Sequence, residues 1–511
     1  MGKKERNSLG LDYKRTIFVG FAFMGIMCFW EVYDYIMPLI LNRVFGLSAS
    51  NYGLVMGLDN MLAIVLLPLF GSLSDKAKPG KSGKRTKFIF WGTLIAVFFI
   101  VILSLVEFAQ YRKIMSLGIN ELDKLTAYGL DQNFLGAEYK ALVDQVASGV
   151  KLQGNDLVMY NSFLDAKFEA QLALAAATTK ANPAIAVCFI AALVLLLVAM
   201  GSFRSPAVAL MPDVTPKPLR SQANAVITFM GGAGGMASML LYKALAKERY
   251  QSHIALFLVL GGVMLAILVA YLCTVRENKF VAQRFAEEKQ WNIVDEEEKS
   301  GDEKLGKKKM ISLLLILFTV FFWFMGFNAV KTHLSVYGTT VLKFTDGFIG
   351  TINLINGIGG AIALVPVAIM AAKWGRKATI AIGLVISIAA YVPCFFMTAS
   401  TPLVQVWFPL CFILSGFSLV CVNVNTFPMV AELSKGSNVG KYTGFYYIFA
   451  MVAQAITPYF AGLVIENISE RSMFVYAIIF VIIATITISF TKHGDNKPPK
   501  KAKMIEYFSE D

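Results

Sequence analysis

Long apolar runs separated by short, mostly basic loops dominate the chain. A helix needs about 20 residues to cross the hydrocarbon core of a bilayer. Twelve runs meet that length, at 16–41, 51–73, 87–108, 183–204, 222–243, 252–275, 310–333, 346–372, 378–399, 402–426, 441–465 and 472–491. Two polar stretches between them are much longer than the others. Residues 109–182 mix charges of both signs with apolar residues (Leu142, Val143, Val146; Tyr160, Phe163, Leu164, Phe168), which predicts helices. A structured cap and a lid over a substrate entrance both fit that stretch. Residues 276–309 are charged and poor in apolar residues (Asp295-Glu-Glu-Glu298, Lys307-Lys-Lys309), with an amphipathic helix predicted near Phe280–Trp291. The tail, 492–511, is polar and expected to lack a fixed fold.

The loop after the second run contains an internal repeat. Pro68-Leu-Phe-Gly71-Ser-Leu-Ser-Asp75-Lys76, followed by Gly83-Lys84-Arg85, has a relative in Pro366-Val-Ala-Ile-Met-Ala-Ala-Lys373-Trp-Gly375-Arg376-Lys377. Pro68 to Asp75 and Pro366 to Lys373 share a spacing of seven. Repeats at this scale mark related structural units. The chain therefore divides into a six-span half, 1–275, a linker, 276–309, a second six-span half, 310–491, and the tail. The expected fold is an all-α integral membrane protein of twelve transmembrane helices in two pseudo-symmetric halves.

Composition agrees. Hydrophobic residues make up 56% of the 511 and charged residues only 16%, too apolar for a water-soluble globule. The net charge of +13 is spread over short loops rather than gathered in a basic domain, which argues against nucleic-acid binding. Most of the 47 lysines and arginines fall in the N-terminus, 74–87, 204–221, 276–309, 373–377, 427–441 and the C-terminus. By the positive-inside rule those segments, and both termini, are expected in the cytoplasm of a cell whose plasma membrane holds the protein. The first run is too long for a signal peptide and is expected to remain in the mature chain. All six cysteines lie within apolar runs and read as packing residues. With only three scattered histidines, no metal site is expected. No nucleophile–base constellation and no Walker-type loop is present, which argues against an enzyme and against ATP-driven transport.

Six plus six spans, a long middle linker and a loop repeated after the second span of each half resemble the major facilitator superfamily, whose halves rock about a central site. Asp75-Lys76 with Gly83-Lys84-Arg85 is similar to its loop signature, lengthened as in the glycoside–pentoside–hexuronide cation symporters and the related sucrose–proton symporters. Arg204-Ser-Pro206-Ala-Val-Ala-Leu210-Met-Pro212-Asp213-Val-Thr-Pro216-Lys-Pro-Leu-Arg220-Ser221-Gln-Ala223-Asn224 resembles the region after the fourth span of the sucrose carriers. An arginine, an Ala-Leu pair, an aspartate and a later Arg-x-x-Ala-Asn recur there. The equivalent stretch of the second half is Asn425-Thr-Phe-Pro428-Met-Val-Ala431-Glu432, then Gly440-Lys-Tyr442-Thr-Gly444. The resemblance implies a secondary transporter that carries a sugar or glycoside with a proton or sodium, without a cofactor and as a monomer. Some relatives carry lipids, and a lipid or drug carrier is the alternative. A transporter-like sugar receptor is more remote, because the linker and tail are short. Sodium sites of that family use Asp-x-x-x-Asp-Pro on the second span. With Pro68 as the matching proline, the acids are replaced by Ala63 and Leu67, so the resemblance favours a proton.

Carboxylates inside a bilayer are expensive, by ~2.5–3.5 kcal/mol on insertion scales, and point to function. Glu31 and Asp34 are three apart on one face of the first span, and Asp59 lies in the second. From a rise of ~1.5 Å per residue, Asp34 and Asp59 come to similar depth and Glu31 lies deeper. The position equivalent to Asp59 in the second half is Gly357, so these acids belong to the first half alone. They are the candidate cation-coupling residues; the bland reading is a solvated vestibule wall. Lys331 falls ~31 Å from the inner end of the seventh run, near the outer surface. It either snorkels there or pairs with Asp34 or Asp59. Sugar binding calls for aromatic faces and amides, and Trp30, Tyr33, Asn60, Asn328, Asn356, Asn423 and Gln454 are the candidates, with Asn353 also available. Asp75, Arg85, Arg204, Asp213, Arg220 and Glu432 are expected at the inner ends of spans. There they are either a cytoplasmic gate of ion pairs or part of a solvated positive face.

Overall fold

The structure is a computed structural model that describes residues 10–245, 251–291, 306–433 and 439–495. The acidic run Asp295-Glu-Glu-Glu298 and the tail beyond Asp495 lie outside the described residues. Among the described residues, twelve helices are long and apolar enough to cross a membrane. In the first half they are α1 (Tyr13–Leu39), α2 (Ala49–Lys76), α3 (Thr86–Ser116), then α7 (Pro183–Val214), α8 (Arg220–Leu245) and α9 (Ile254–Thr274). Between α3 and α7 lie α4 (Leu122–Leu125), α5 (Ala137–Ala147) and α6 (Gly154–Ala181). The linker contributes α10 (Glu277–Gln290). The second half is α11 (Lys307–Thr340), α12 (Asp346–Trp374), α13 (Arg376–Phe396), α14 (Val404–Leu433), α15 (Val439–Asn467) and α16 (Ser472–Phe490).

Several helices outrun the apolar runs that predict them. Hydropathy ends the seventh run at 333, but α11 continues to Thr340 with His333, Ser335 and Thr339 all buried against other helices. The fourth run ends at Arg204, yet α7 continues for ten residues to Val214. Polar residues end a run in a hydropathy profile without ending a helix, because neighbouring helices supply their surroundings. The first span is likewise prolonged beyond Pro38 by a π-helical turn, Ile40–Val44, that carries Arg43 into a buried site.

Each half is a six-helix bundle. The two meet along two related seams, α2 against α15 and α8 against α12, with α1 and α11 facing each other between them. The repeat extends to the ion pairs. Arg85, just before α3, donates from Nε to Asp213 Oδ2 near the end of α7 (2.9 Å) and also pairs with Asp75. Arg376, at the start of α13, donates to Glu432 near the end of α14 (2.7 Å). A carboxylate caps the helix that follows in both cases. Glu277 accepts from the backbone N–H groups of Lys84, Arg85 and Thr86, and Asp495 accepts from Arg376 N. These acceptors satisfy amides that a helix start leaves open.

An even number of spans puts the start of α1 and the end of α16 on one face, here the terminal face; residues 109–182 lie at the other, the cap face. The hydrogen bonds and ion pairs that join the halves among the described residues lie at the cap face and in the middle. Arg43 makes a buried bidentate pair with Asp346 (2.7 and 3.0 Å). Glu466 accepts from Ser50 N and Oγ (both 2.8 Å). His333 bridges Tyr52 Oη (2.6 Å) and the Pro458 carbonyl (3.0 Å). Lys343 pairs with Asp165 of α6. Burial follows the same pattern, running through Ala49–Gly57 at the cap end of α2 and thinning towards its terminal end. The molecule is closed at the cap face, and none of these hydrogen bonds and ion pairs joins its halves at the terminal face among the described residues.

Candidate functional site

A cavity of about 180 Å³ opens between the halves. It lies where the first bundle presents α1, α2 and α7 and the second presents α11 and α15. Five charged side chains line it: Glu31 and Asp34 from α1, Asp59 from α2, Arg204 from α7 and Lys331 from α11. Helix geometry explains the grouping. Glu31 and Asp34 share a face of α1, and α1 and α2 run antiparallel, which brings Asp59 beside them. Glu31 fits against α8 because Gly235 has no side chain; a Cβ there would stand 2.7 Å from Glu31 Cγ.

The charges are partnered unevenly. Lys331 Nζ donates to Asp34 Oδ2 at 2.6 Å, an ion pair between the two bundles. Of the two readings of Lys331, the pair is the one the structure contains. The depth estimate is corrected, since nine helical residues of α11 separate it from the cap-side end. Asp59 Oδ1 accepts from Asn60 N (2.6 Å) and Nδ2 (2.7 Å). Glu31 Oε2 accepts a longer bond from Asn353 Nδ2 of α12 (3.4 Å). The Arg204 guanidinium lies over the Trp30 ring, 5.3 Å from its centroid, and no hydrogen bond or ion pair reaches it among the described residues. Counting full charges, three carboxylates face two cations, leaving one negative charge in excess.

Of the expected substrate ligands, Trp30, Asn60, Asn328 and Gln454 line the cavity. Asn328 and Gln454 each donate one N–H to a carbonyl of their own helix, Phe324 O (2.9 Å) and Ala450 O (3.3 Å). The rest of each amide remains for a ligand. Tyr33 is buried behind the wall, stacked on Phe29 with ring centroids 5.7 Å apart and edge-on to Trp30. Asn356 and Asn423 are not in the lining either. Asn356 lies where α12 packs on Gly416 of α14, and Asn423 is on the exposed face of α14. A polar residue on a span is equally at home between helices, and a run of sequence does not say which face it takes.

The expected gate residues are placed apart. Arg204 is not at the terminal face at all but in the cavity, because α7 continues past it. Asp75, Arg85 and Asp213 form one cluster inside the first bundle, where the two carboxylates outweigh burial and hold the Arg85 pKa above its ordinary value. Glu432 pairs with Arg376 inside the second bundle. Arg220 donates to the carbonyls of Pro212 (3.1 Å) and Thr215 (3.5 Å) in its own loop. None of these bonds crosses between the halves in this conformation. The pairs that do cross at the cap face, Arg43–Asp346 and Ser50–Glu466, are absent from the sequence expectations. Their only sign in the sequence is a charge beside the end of an apolar run.

The chain matches the family model described as Major Facilitator Superfamily over residues 170–355 and 340–507. The alpha-ketoglutarate permease of Escherichia coli (strain K12) is 32% identical over 108 residues, 20% of this chain and 24% of the permease. The chain thus matches about a quarter of that relative's length. Among solved structures, a D-xylose-proton symporter is 14% identical with a TM-score of 0.56, covering 94% of this chain and 99% of its own. The inward open xylose transporter XylE from E. coli is 13% identical, with a TM-score of 0.58 and coverage of 95% and 96%. A bacterial homologue of the iron transporter ferroportin, inward-facing, is 14% identical with a TM-score of 0.53, over 94% and 99%. Similarity at these identities carries the fold, not the substrate.

Proposed function

The chain belongs to the major facilitator superfamily of secondary transporters, and on that premise we propose that it is a proton-coupled symporter of a sugar or glycoside. The observation that carries this reading is the cavity itself. It is small, about 180 Å³, and five charged side chains line it together with Trp30 and three amides. A lipid carrier would need a longer and mainly apolar cavity. Amides and an aromatic ring suit hydroxyl groups and a sugar face.

Coupling follows from the charge count. One uncompensated carboxylate in a poor dielectric opposes any motion that closes the cavity away from water. A bound cation removes that charge. Asp34 is occupied by Lys331, Asp59 by Asn60 and Glu31 only by a long bond from Asn353. The carboxylates therefore point to separate partners rather than to one ion, which favours a proton over sodium. Glu31 is the acceptor we assign to it, with Asp34 and Lys331 sensing its charge across the two bundles and Asp59 assisting. Substrate and proton enter from the cap face once the bonds there break, and leave at the terminal face, which we take to be cytoplasmic. A carrier needs no covalent step, only a ligand that shifts a two-state equilibrium.

The test is accumulation of labelled sugars, α- and β-disaccharides among them, in proteoliposomes under a pH gradient, with a sodium gradient in parallel. Proton-driven accumulation that disappears in Glu31→Gln, while sugar exchange persists, is expected. Flat uptake of every sugar under both gradients overturns the reading.

A further inference from the structure

We propose that His333 is a proton-binding residue of this carrier apart from the cavity acids. It takes up a proton when the cap face opens and gives it back when the face closes. The inference stands apart from the sugar reading, since it concerns a bond between the halves and not the cavity. His333 belongs to α11 and is 1% exposed. Its ring bridges the seam between the two bundles. Nδ1 faces Tyr52 Oη of α2 at 2.6 Å, and Nε2 faces the Pro458 carbonyl of α15 at 3.0 Å.

A carbonyl can only accept, so Nε2 carries a hydrogen. The surroundings then decide the state of Nδ1. Tyr52 on α2, Glu466 on α15 and Glu470 just beyond α15 are the titratable groups beside this seam, with Lys331 two residues earlier on α11. Glu466 is held by Ser50, and Lys331 by Asp34. No carboxylate touches the ring among the described residues. An imidazolium there would be a buried charge without a counter-ion, which is costly. In the closed molecule the ring is therefore neutral, and Nδ1 accepts from the Tyr52 hydroxyl.

Opening the cap face undoes this arrangement. It parts α2 from α11 and α15, and the ring meets water with Glu466 and Glu470 nearby. A hydrated imidazole takes a proton near pH ~6.5. That proton occupies the lone pair to which Tyr52 donates, so it must leave before the face closes. It returns to the water on the cap side, so no additional proton crosses the membrane. Acid on that side therefore favours the open face. With the proton bound in the open state alone, a fall from pH 7.5 to 5.5 raises the ratio of open to closed molecules about tenfold.

The experiment reads the distance between spin labels at Asn51 and Ile468, exposed positions at the cap face, on the purified full chain in detergent without solute. Between pH 7.5 and 5.5 the wild type is expected to gain about tenfold in its open population. His333→Gln keeps one donor and one acceptor but cannot titrate, and is expected to change less than about twofold. A wild type that does not respond to pH, or a His333→Gln variant that responds as the wild type does, overturns the inference. Where His333→Gln does not fold, nitrogen-15 spectra of the histidine-labelled wild type serve, since the chain has only three histidines. Tyr52→Phe identifies the His333 signal by displacing it. That ring is expected to be neutral, with its hydrogen on Nε2, in the closed population at pH 7.5 and charged in the open one at pH 5.5. A ring still neutral in the open population at pH 5.5, or charged while the labels remain close, overturns the inference equally.

Discussion

At the scale of single residues, the ion pair between Lys331 and Asp34 is the link on which the cavity turns. It joins α11 to α1 across the two bundles at 2.6 Å, with side-chain exposures of 39% and 19%. A pair that wet is worth nearer the ~1 kcal/mol of a surface pair than the ~3–5 kcal/mol lost on breaking a buried one. Lys331→Ala is therefore expected to lower the melting temperature by only a few degrees. Its effect on transport is larger, since it leaves three carboxylates against one cation. Accumulation falls at least tenfold, and adding Asp34→Asn to Lys331→Ala recovers much of the lost exchange. A double mutant no better than the single one would show that the two side chains act separately. How far this was readable from sequence differs by residue. Carboxylates within an apolar run announce themselves, and Glu31, Asp34 and Asp59 all stand in the cavity wall. Lys331 and Arg204 stand at the ends of runs, where hydropathy gives no depth. Their helices run on through buried polar residues, and that continuation depends on partners distant in sequence.

Among the elements, the seam between α2 and α15 holds the cap face shut, and glycines set its closeness. A Cβ on Gly53 would meet the Pro458 carbonyl oxygen at 2.2 Å, and one on Gly57 the Ala455 oxygen at 2.2 Å. From the other side, a Cβ on Gly462 would meet the Ala49 oxygen at 2.4 Å. Small residues of this kind let helix backbones approach in a membrane. Gly57→Val is thus expected to wedge the seam. Overpacking costs ~1–3 kcal/mol, and a cost confined to the closed conformation shifts the population about five- to 150-fold towards an open cap face. The measurement is the distance between spin labels at Asn51 and Ile468, exposed positions at the cap ends of α2 and α15. It lengthens in Gly57→Val and stays unchanged in Gly444→Ala, whose added methyl group meets nothing within 4 Å. An unchanged distance in both would remove the seam from the mechanism. The repeat around Pro68 and Pro366 made the two halves legible, because it is written locally in the chain. The pairing of the second span with the eleventh is not, because the glycines that permit it sit some 400 residues from their partners.

For the whole molecule, the question is which bonds must break before the cap face opens, and burial ranks them. Arg43 and Asp346 are 3% and 5% exposed and bonded at 2.7 and 3.0 Å, tying the end of the first span to the start of the eighth. Removing one partner of such a pair costs ~3–5 kcal/mol, because the other charge stays buried. The Lys343–Asp165 pair joins the 109–182 segment to the second half, but Asp165 is 59% exposed, so its loss costs at most ~1 kcal/mol. That segment is chiefly fastened to the first half. The Gln110 side chain donates to the Val44 carbonyl at the end of the first span (3.4 Å), and Gly46 packs so closely on α6 that a Cβ would lie 2.2 Å from Ala176 N. A segment fastened in this way is expected to travel as a cap with one bundle rather than to hinge as a lid between two. Asp346→Asn is accordingly expected to open the cap face in most molecules, read with the same pair of labels, and Arg43→Gln in the same chain to restore much of the closed population. Asp165→Asn is expected to shift the distribution less than about fivefold and to leave uptake near wild type. The reverse ranking, with Asp165→Asn the more disruptive, would make the 109–182 segment the gate and Arg43–Asp346 a bystander.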